Sequence, residues 1–167
     1  KGGNDSIALY RGNPTVHDAQ SLLYWNVLQR SIPTKSQFSA GSLDTWPRWV
    51  QAGLMDGGFL HTPVPDLARC EYLLILGANP VVSNGSLMTA PGVKKRLRGI
   101  RTRGGRVVVV DPRRSETAEI ADVHVPIRPG GDAAFVLAML QVLFEEDRVD
   151  LGACRDLVND LTRVRAC

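Results

Sequence analysis

A chain of 167 residues is long enough for one domain with a sizeable core. Its 44% hydrophobic and 22% charged residues are ordinary for a soluble globular protein. A formal net charge of +3 permits anionic ligands but is too small to argue for a nucleic-acid partner. Cys70, Cys154 and Cys167 are far apart, odd in number and form no CxxC, so neither a zinc knuckle nor a disulfide framework is suggested. They read as thiols in a reducing, cytoplasmic compartment. No apolar run approaches the roughly 20 residues of a membrane span, so no direct membrane insertion is expected. The chain opens on Lys1 without a signal peptide and runs straight into a strand-like segment. It reads as a piece of a longer protein whose targeting signals are out of sight.

Ser6 to Tyr10 is a predicted strand, stopped by Arg11-Gly-Asn-Pro14. Asp18 to Arg30 is a predicted amphipathic helix carrying Leu22, Leu23, Trp25, Val27 and Leu28, ended by Pro33. Thr34 to Ser42 is small and polar and reads as a loop. A short helix over Trp46 to Met55 is stopped by Asp56-Gly-Gly58. His61-Thr-Pro-Val-Pro65 is an extended connector, because each proline biases the residue before it away from helix.

The middle of the chain carries the clearest signal. Tyr72-Leu-Leu-Ile-Leu76 and Arg106-Val-Val-Val-Val110 are continuous apolar runs, which suit strands buried on both faces of a parallel sheet. Between them Val93, Leu97 and Ile100 form one helical stripe, giving a βαβ unit. Lys94, Lys95, Arg96, Arg98, Arg101 and Arg103 make that helix basic, as a solvated face or a docking face. A short helix over Ser115 to Ala121, a strand His124 to Ile127, a strongly apolar helix Ala133 to Glu146 and a last helix Leu151 to Val164 follow. The alternation predicts one α/β domain over residues 1–167: a three-layer, mostly parallel, Rossmann-like open sheet with helices on both faces. His17, His61 and His124 have no metal-ligand spacing.

In such folds ligands bind beyond the carboxyl ends of the strands. Three loops follow strands here. Gly77-Ala-Asn-Pro-Val-Val-Ser-Asn-Gly85 lets the backbone approach a ligand at Gly77 and offers Asn79, Ser83 and Asn84; it also reads as an ordinary turn. It is not the GxGxxG fingerprint. Asp111-Pro-Arg-Arg-Ser115 places an acid where ribose hydroxyls can be caught, or where a turn is capped. Arg113 and Arg114 suit phosphate, an acidic partner or solvent. Arg128-Pro-Gly-Gly-Asp132 ends in a carboxylate suited either to the N1–H and amine of guanine or to capping the next helix. Helix N-termini at that edge favour anions such as a pyrophosphate.

Four stretches carry a family resemblance. Asp66-Leu-Ala-Arg-Cys-Glu-Tyr-Leu-Leu-Ile-Leu-Gly-Ala-Asn-Pro80, Gly104-Gly-Arg-Val-Val-Val-Val-Asp-Pro-Arg113, Thr117-Ala-Glu-Ile-Ala-Asp122 and Ile127-Arg-Pro-Gly-Gly-Asp132 together resemble the molybdopterin oxidoreductase family of the dimethyl-sulfoxide-reductase type. The resemblance is firm over about half the chain and looser through Leu9-Tyr-Arg-Gly-Asn-Pro14. It implies an internal, cofactor-holding piece of an enzyme that carries molybdenum or tungsten on two pterins, each joined to a guanine nucleotide, for two-electron redox chemistry. Carried over, Gly77, Ala78, Asn79, Pro80 and Ser83 lie by the phosphate and pterin end of molybdopterin guanine dinucleotide. Asp111, Pro112 and Arg113 flank ribose and base, and Gly131 and Asp132 meet the guanine.

The family's side-chain ligand to the metal falls in Phe38-Ser-Ala-Gly-Ser-Leu-Asp-Thr-Trp-Pro47, with Ser39 the first candidate and Ser42 the second. No Cys stands there, against the Cys-ligand subclasses. The iron–sulfur (4Fe-4S) cluster of some members would belong to an N-terminal part outside this chain. The implied partners are the remaining domains of the parent chain and an electron-transfer subunit. No catalytic residue is assigned, and the piece alone is expected to be inactive. A stand-alone nucleotide-binding or interaction module is the rival reading. A thiamine-enzyme domain is a weaker one, since it gives no reason for Arg128 to Asp132.

Overall fold

A computed structural model describes residues 3–165 except 43, 60, 62 and 86–89; Cys167 therefore lies outside the described residues. In chain order the elements are β1 (Leu9–Arg11), α1 (Ala19–Ser31), β2 (Gln37–Ser39), α2 (Trp46–Met55), β3 (Tyr72–Leu76), α3 (Pro80–Ser83), α4 (Val93–Thr102), β4 (Arg106–Val110), α5 (Glu116–Ile120), β5 (Val123–Val125), α6 (Asp132–Glu145) and α7 (Leu161–Arg165). Among the described residues all strands pair in parallel, in one two-stranded and one three-stranded sheet, so the chain is α/β as its alternating pattern requires. It divides into two compact units, one of Lys1–Cys70 with Pro80–Gly99, the other of Glu71–Asn79 with Ile100–Cys167.

The second unit is built on the order β3-β4-β5. β4 is central, and Val107, Val109 and Val110 are almost wholly buried, which is why its run does not alternate. Tyr72 to Leu76 pair with Arg106 to Val110, and Val108 to Val110 pair with Val123 to Val125. Ile75, Ile100, Thr117 and Ala118 complete the core. At the amino end of β4, Asp122 stands in for a strand residue: its Oδ2 accepts Val107 N–H at 2.8 Å, and its own N–H donates to Val107 O at 2.9 Å. Its Oδ1 pairs with Arg101 Nε at 2.6 Å.

In the first unit, β1 and β2 pair through Leu9–Gln37, Tyr10–Phe38 and Arg11–Ser39. The buried Thr34 clasps the approach to both, donating its hydroxyl to Ile7 O at 2.6 Å and accepting Ser36 N–H at 3.0 Å. Asp18 caps α1 by accepting the N–H groups of Gln20 and Ser21, and its carboxyl is held below the usual range, first by the Ser21 hydroxyl and then by those two amides.

Three expectations shift. Asn4–Ser6 is a single 3-10 turn, so the first strand starts only at Leu9. The polar run 34–42 is not all loop, because pairing with β1 draws Gln37–Ser39 into a strand in which only Phe38 is a strong strand former. The last helix is broken into a 3-10 segment (Gly152–Leu157) and α7, with Asp160 at φ 56° between them.

Candidate functional site

Because β3, β4 and β5 are parallel, their carboxyl ends share one edge, and the three loops that follow them share it too. The ladder carries on one step into the loops: Gly77 N–H donates to Val110 O at 2.9 Å, and Asp111 N–H to Val125 O at 3.2 Å. His124 Nε2 lies 2.9 Å from Asp111 O and ties the second loop to β5. Gly77 has φ +57°, a conformation that favours glycine, and open space surrounds the position a Cβ would take.

Asn79 joins the first loop to α5. Its Oδ1 accepts both the backbone N–H (3.2 Å) and the hydroxyl (2.7 Å) of the fully buried Thr117, and its Nδ2 donates to Glu116 Oε2 at 2.7 Å. Arg113 Nη2 reaches the same oxygen at 3.1 Å. The Glu116 carboxyl is held below the usual glutamate range, first by its own backbone N–H, then by Asn79 and Arg113. A lowered folded value means a contribution that is complete above the unfolded glutamate value and is lost as pH falls through the folded one. The stability gap between the unaltered chain and Glu116→Gln is therefore expected to be flat above the ordinary glutamate range and to close as pH falls below that range. Urea titrations of both chains across that range check it; a gap that widens in acid contradicts the assignment.

Asp111 Oδ1 accepts Arg113 N–H at 2.7 Å, the turn-capping role, while Oδ2 has no partner among the described residues. Pro112, Arg113 and Arg114 are exposed. In the third loop Gly131 N–H donates to Arg128 O at 2.9 Å, and Gly130 takes φ +81°. Gly131, not Asp132, is the N-cap of the 14-residue α6, with no side-chain cap bond. Asp132 is thus the first helical residue, with an exposed carboxylate unpartnered among the described residues. A Cβ on Gly131 would lie 2.9 Å from Arg128 O, so the turn that presents Asp132 needs glycine there.

Gly77, Ala78, Asn79, Asp111, Pro112, Arg113, Gly131 and Asp132 all lie in the second unit at this edge. Pro80 and Ser83 bound α3 in the first unit. Ser39 is in the first unit as well, half-buried at the end of β2, with its hydroxyl accepting Gly41 N–H at 3.2 Å. The side chain of Ser42 lies outside the described residues. Among the described residues no cluster of His, Cys, Asp and Glu could hold a metal ion, and no helix is long and apolar enough to cross a membrane. Sequence reasoning missed Glu116, Thr117 and His124 as supports of the loops. Glu116 and Thr117 stand 37 and 38 positions from Asn79, beyond the reach of any local pattern.

A parallel three-stranded sheet whose loops gather at one carboxyl edge defines a Rossmann-like α/β unit. Over 85 residues the chain is 40% identical to the assimilatory nitrate reductase of Haloferax mediterranei, covering 51% of this chain and 11% of that protein. Over 114 residues it is 34% identical to the catalytic chain of a putative dimethyl sulfoxide reductase of Halobacterium salinarum, covering 66% of this chain and 13% of that protein. Acetylene hydratase from Pelobacter acetylenicus shares the fold with a TM-score of 0.57 over 98% of this chain and 21% of that one, at 22% identity. No family profile matches the chain. The relatives it matches are molybdopterin oxidoreductases, and the chain is similar to that family over these stretches. It spans only about a tenth of the length of these curated relatives.

Proposed function

We propose that this chain holds the guanine-nucleotide end of a molybdopterin guanine dinucleotide within a larger, two-electron oxidoreductase. The observation that carries the reading is the unpartnered Asp132 carboxylate at the same sheet edge as Gly77 and Asp111. The donor set fits the group. Asp132 has two acceptor oxygens for the N1–H and amine of guanine, side by side. Asp111 Oδ2 is open to a ribose hydroxyl, with Pro112 and Arg113 beside it. Gly77 and Ala78 bring bare backbone toward the diphosphate, and Pro80 and Ser83 continue that loop. Gly131 shapes the turn that aims Asp132. The bound group would supply the redox chemistry through its molybdenum or tungsten; the chain's part is to grip and orient it. Ser39 is the proposed side-chain contact to that metal. The proposed partners are the other parts of the parent chain, an iron–sulfur cluster among them, and an electron-transfer subunit. A reducing, cytoplasmic setting suits the Cys70 and Cys154 thiols.

Calorimetric titration with GDP and ADP tests the guanine assignment. A two-point carboxylate contact is expected to favour GDP by about tenfold or more. Asp132→Ala is expected to bring the two nucleotides to parity while leaving ADP binding unchanged. Equal binding of GDP and ADP by the unaltered chain overturns the assignment. Pterin and metal analysis of the full-length protein tests the wider reading.

A further inference from the structure

We propose that Asn79 is a positioning residue: its side chain serves protein, not nucleotide, and with Glu116 it sets the spacing between the first two ligand loops. The proposal rests on the nucleotide reading above and changes the part Asn79 plays in it. An asparagine amide offers one oxygen with two lone pairs and two N–H donors. Here the oxygen takes both donors of Thr117, and one N–H goes to Glu116. Thr117 is wholly buried, so it is a fixed anchor, and both of its bonds to Asn79 would break if Asn79 swung toward a ligand. Glu116 is in turn held by Arg113, which belongs to the second loop. One side chain thus fastens the loop after β3 to the first turn of α5, and a ligand senses it only through the backbone of Gly77 and Ala78. Asn79 is the hinge pin of the two loops, and Glu116 is its counterpart.

A reciprocal substitution separates this role from direct contact. Asn79→Asp keeps the oxygen for Thr117 but sets a carboxylate against Glu116, and is expected to weaken GDP binding about tenfold. Adding Glu116→Gln restores a donor facing an acceptor and leaves the net charge of the site as it was. It is expected to return affinity to within about threefold of the unaltered chain. The GDP-to-ADP ratio should hold throughout, since the base is gripped elsewhere. If Asn79 touched the diphosphate, the second substitution would rescue nothing, and that result overturns the proposal. Amide exchange gives a readout without nucleotide: Asn79→Ala should speed exchange at Thr117 and Gly77 together, the latter bonded to Val110 O, while Val108 to Val110 stay protected. Unchanged protection at Thr117 and Gly77 also overturns it. Failure of the unaltered chain to bind GDP would sink the nucleotide reading alone, and exchange would still decide whether Asn79 fastens the loops.

Discussion

Gly105→Ala is expected to destabilise the second unit by about 3 kcal/mol. Gly105 sits where the chain leaves α4 and enters β4, and its N–H donates to Ile100 O at 2.9 Å. An added Cβ would run into the backbone carbonyl of Glu71 and would lie 2.8 Å from Ile100 Cγ2. Neither neighbour can give way. The Glu71 carbonyl accepts Arg106 N–H at 2.7 Å, just ahead of the β3–β4 ladder, and Ile100 is wholly buried. Relief therefore means parting β3 from β4 at their start or opening the core around Ile100. Gly104→Ala is the natural control. Gly104 has φ +86° with open space around it, so alanine there meets only backbone strain, about 1 kcal/mol. Amide exchange of Val107 to Val110 is the suitable probe, because Trp25, Trp46 and Trp49 all lie in the other unit. Equal losses for the two substitutions would mean that the approach of β4 to Glu71 is looser than the structure has it.

The close packing at Gly105 also marks where the sequence stops being legible. The hydrophobic run of β4 declares itself because a central parallel strand is buried on both faces, and Val107 to Val110 leave no polar position to confuse the reading. β3, by contrast, stands at the end of the strand order and buries only Ile75, with Tyr72 and Leu76 exposed against the both-faces-buried expectation. Once those strands are parallel, the shared edge of the three loops follows from geometry, and so do Gly77, Asp111 and Asp132 as candidates. β2 was hidden, since Gln37, Phe38 and Ser39 gain strand geometry only by pairing with β1 across a helix. At Asp132 a carboxylate before an apolar helix reads equally as a cap. The choice of Gly131 as N-cap depends on the turn closed by its N–H on Arg128 O. The support around Asn79 was out of reach for a similar reason, as Glu116 and Thr117 belong to a helix nearly forty positions away.

Asp122 was visible in the sequence only as part of a family-like stretch, yet in the structure its carboxylate holds both Val107 N–H and Arg101. Val107 lies one position before β4 meets β5, so its buried N–H has no strand partner and relies on Asp122 Oδ2. Asp122→Ala leaves that donor unsatisfied and separates Arg101 from its acid. The first loss amounts to about 2 kcal/mol. The second adds under about 1 kcal/mol, because the Arg101 side chain is 47% exposed and solvent screens the pair. A total of about 3 kcal/mol is expected. Asp122→Asn keeps an acceptor for Val107 and should forfeit only the ion pair, under about 1 kcal/mol. Arg101→Met also gives up the 3.2 Å hydrogen bond to Ile120 O, so it should cost slightly more than Asp122→Asn, and the two combined should cost no more than Arg101→Met alone. The consequence reaches the candidate site, because β5 is only three residues long and leads directly to the turn that presents Asp132. With its first anchor gone, β5 has the Val108 to Val110 pairing and the His124 contact to hold it. Asp122→Ala should therefore narrow the GDP preference over ADP, whereas Asp122→Asn should leave it intact. Equal costs for the alanine and asparagine substitutions would show that the Val107 hydrogen bond contributes nothing, and that β5 is held by its ladder alone.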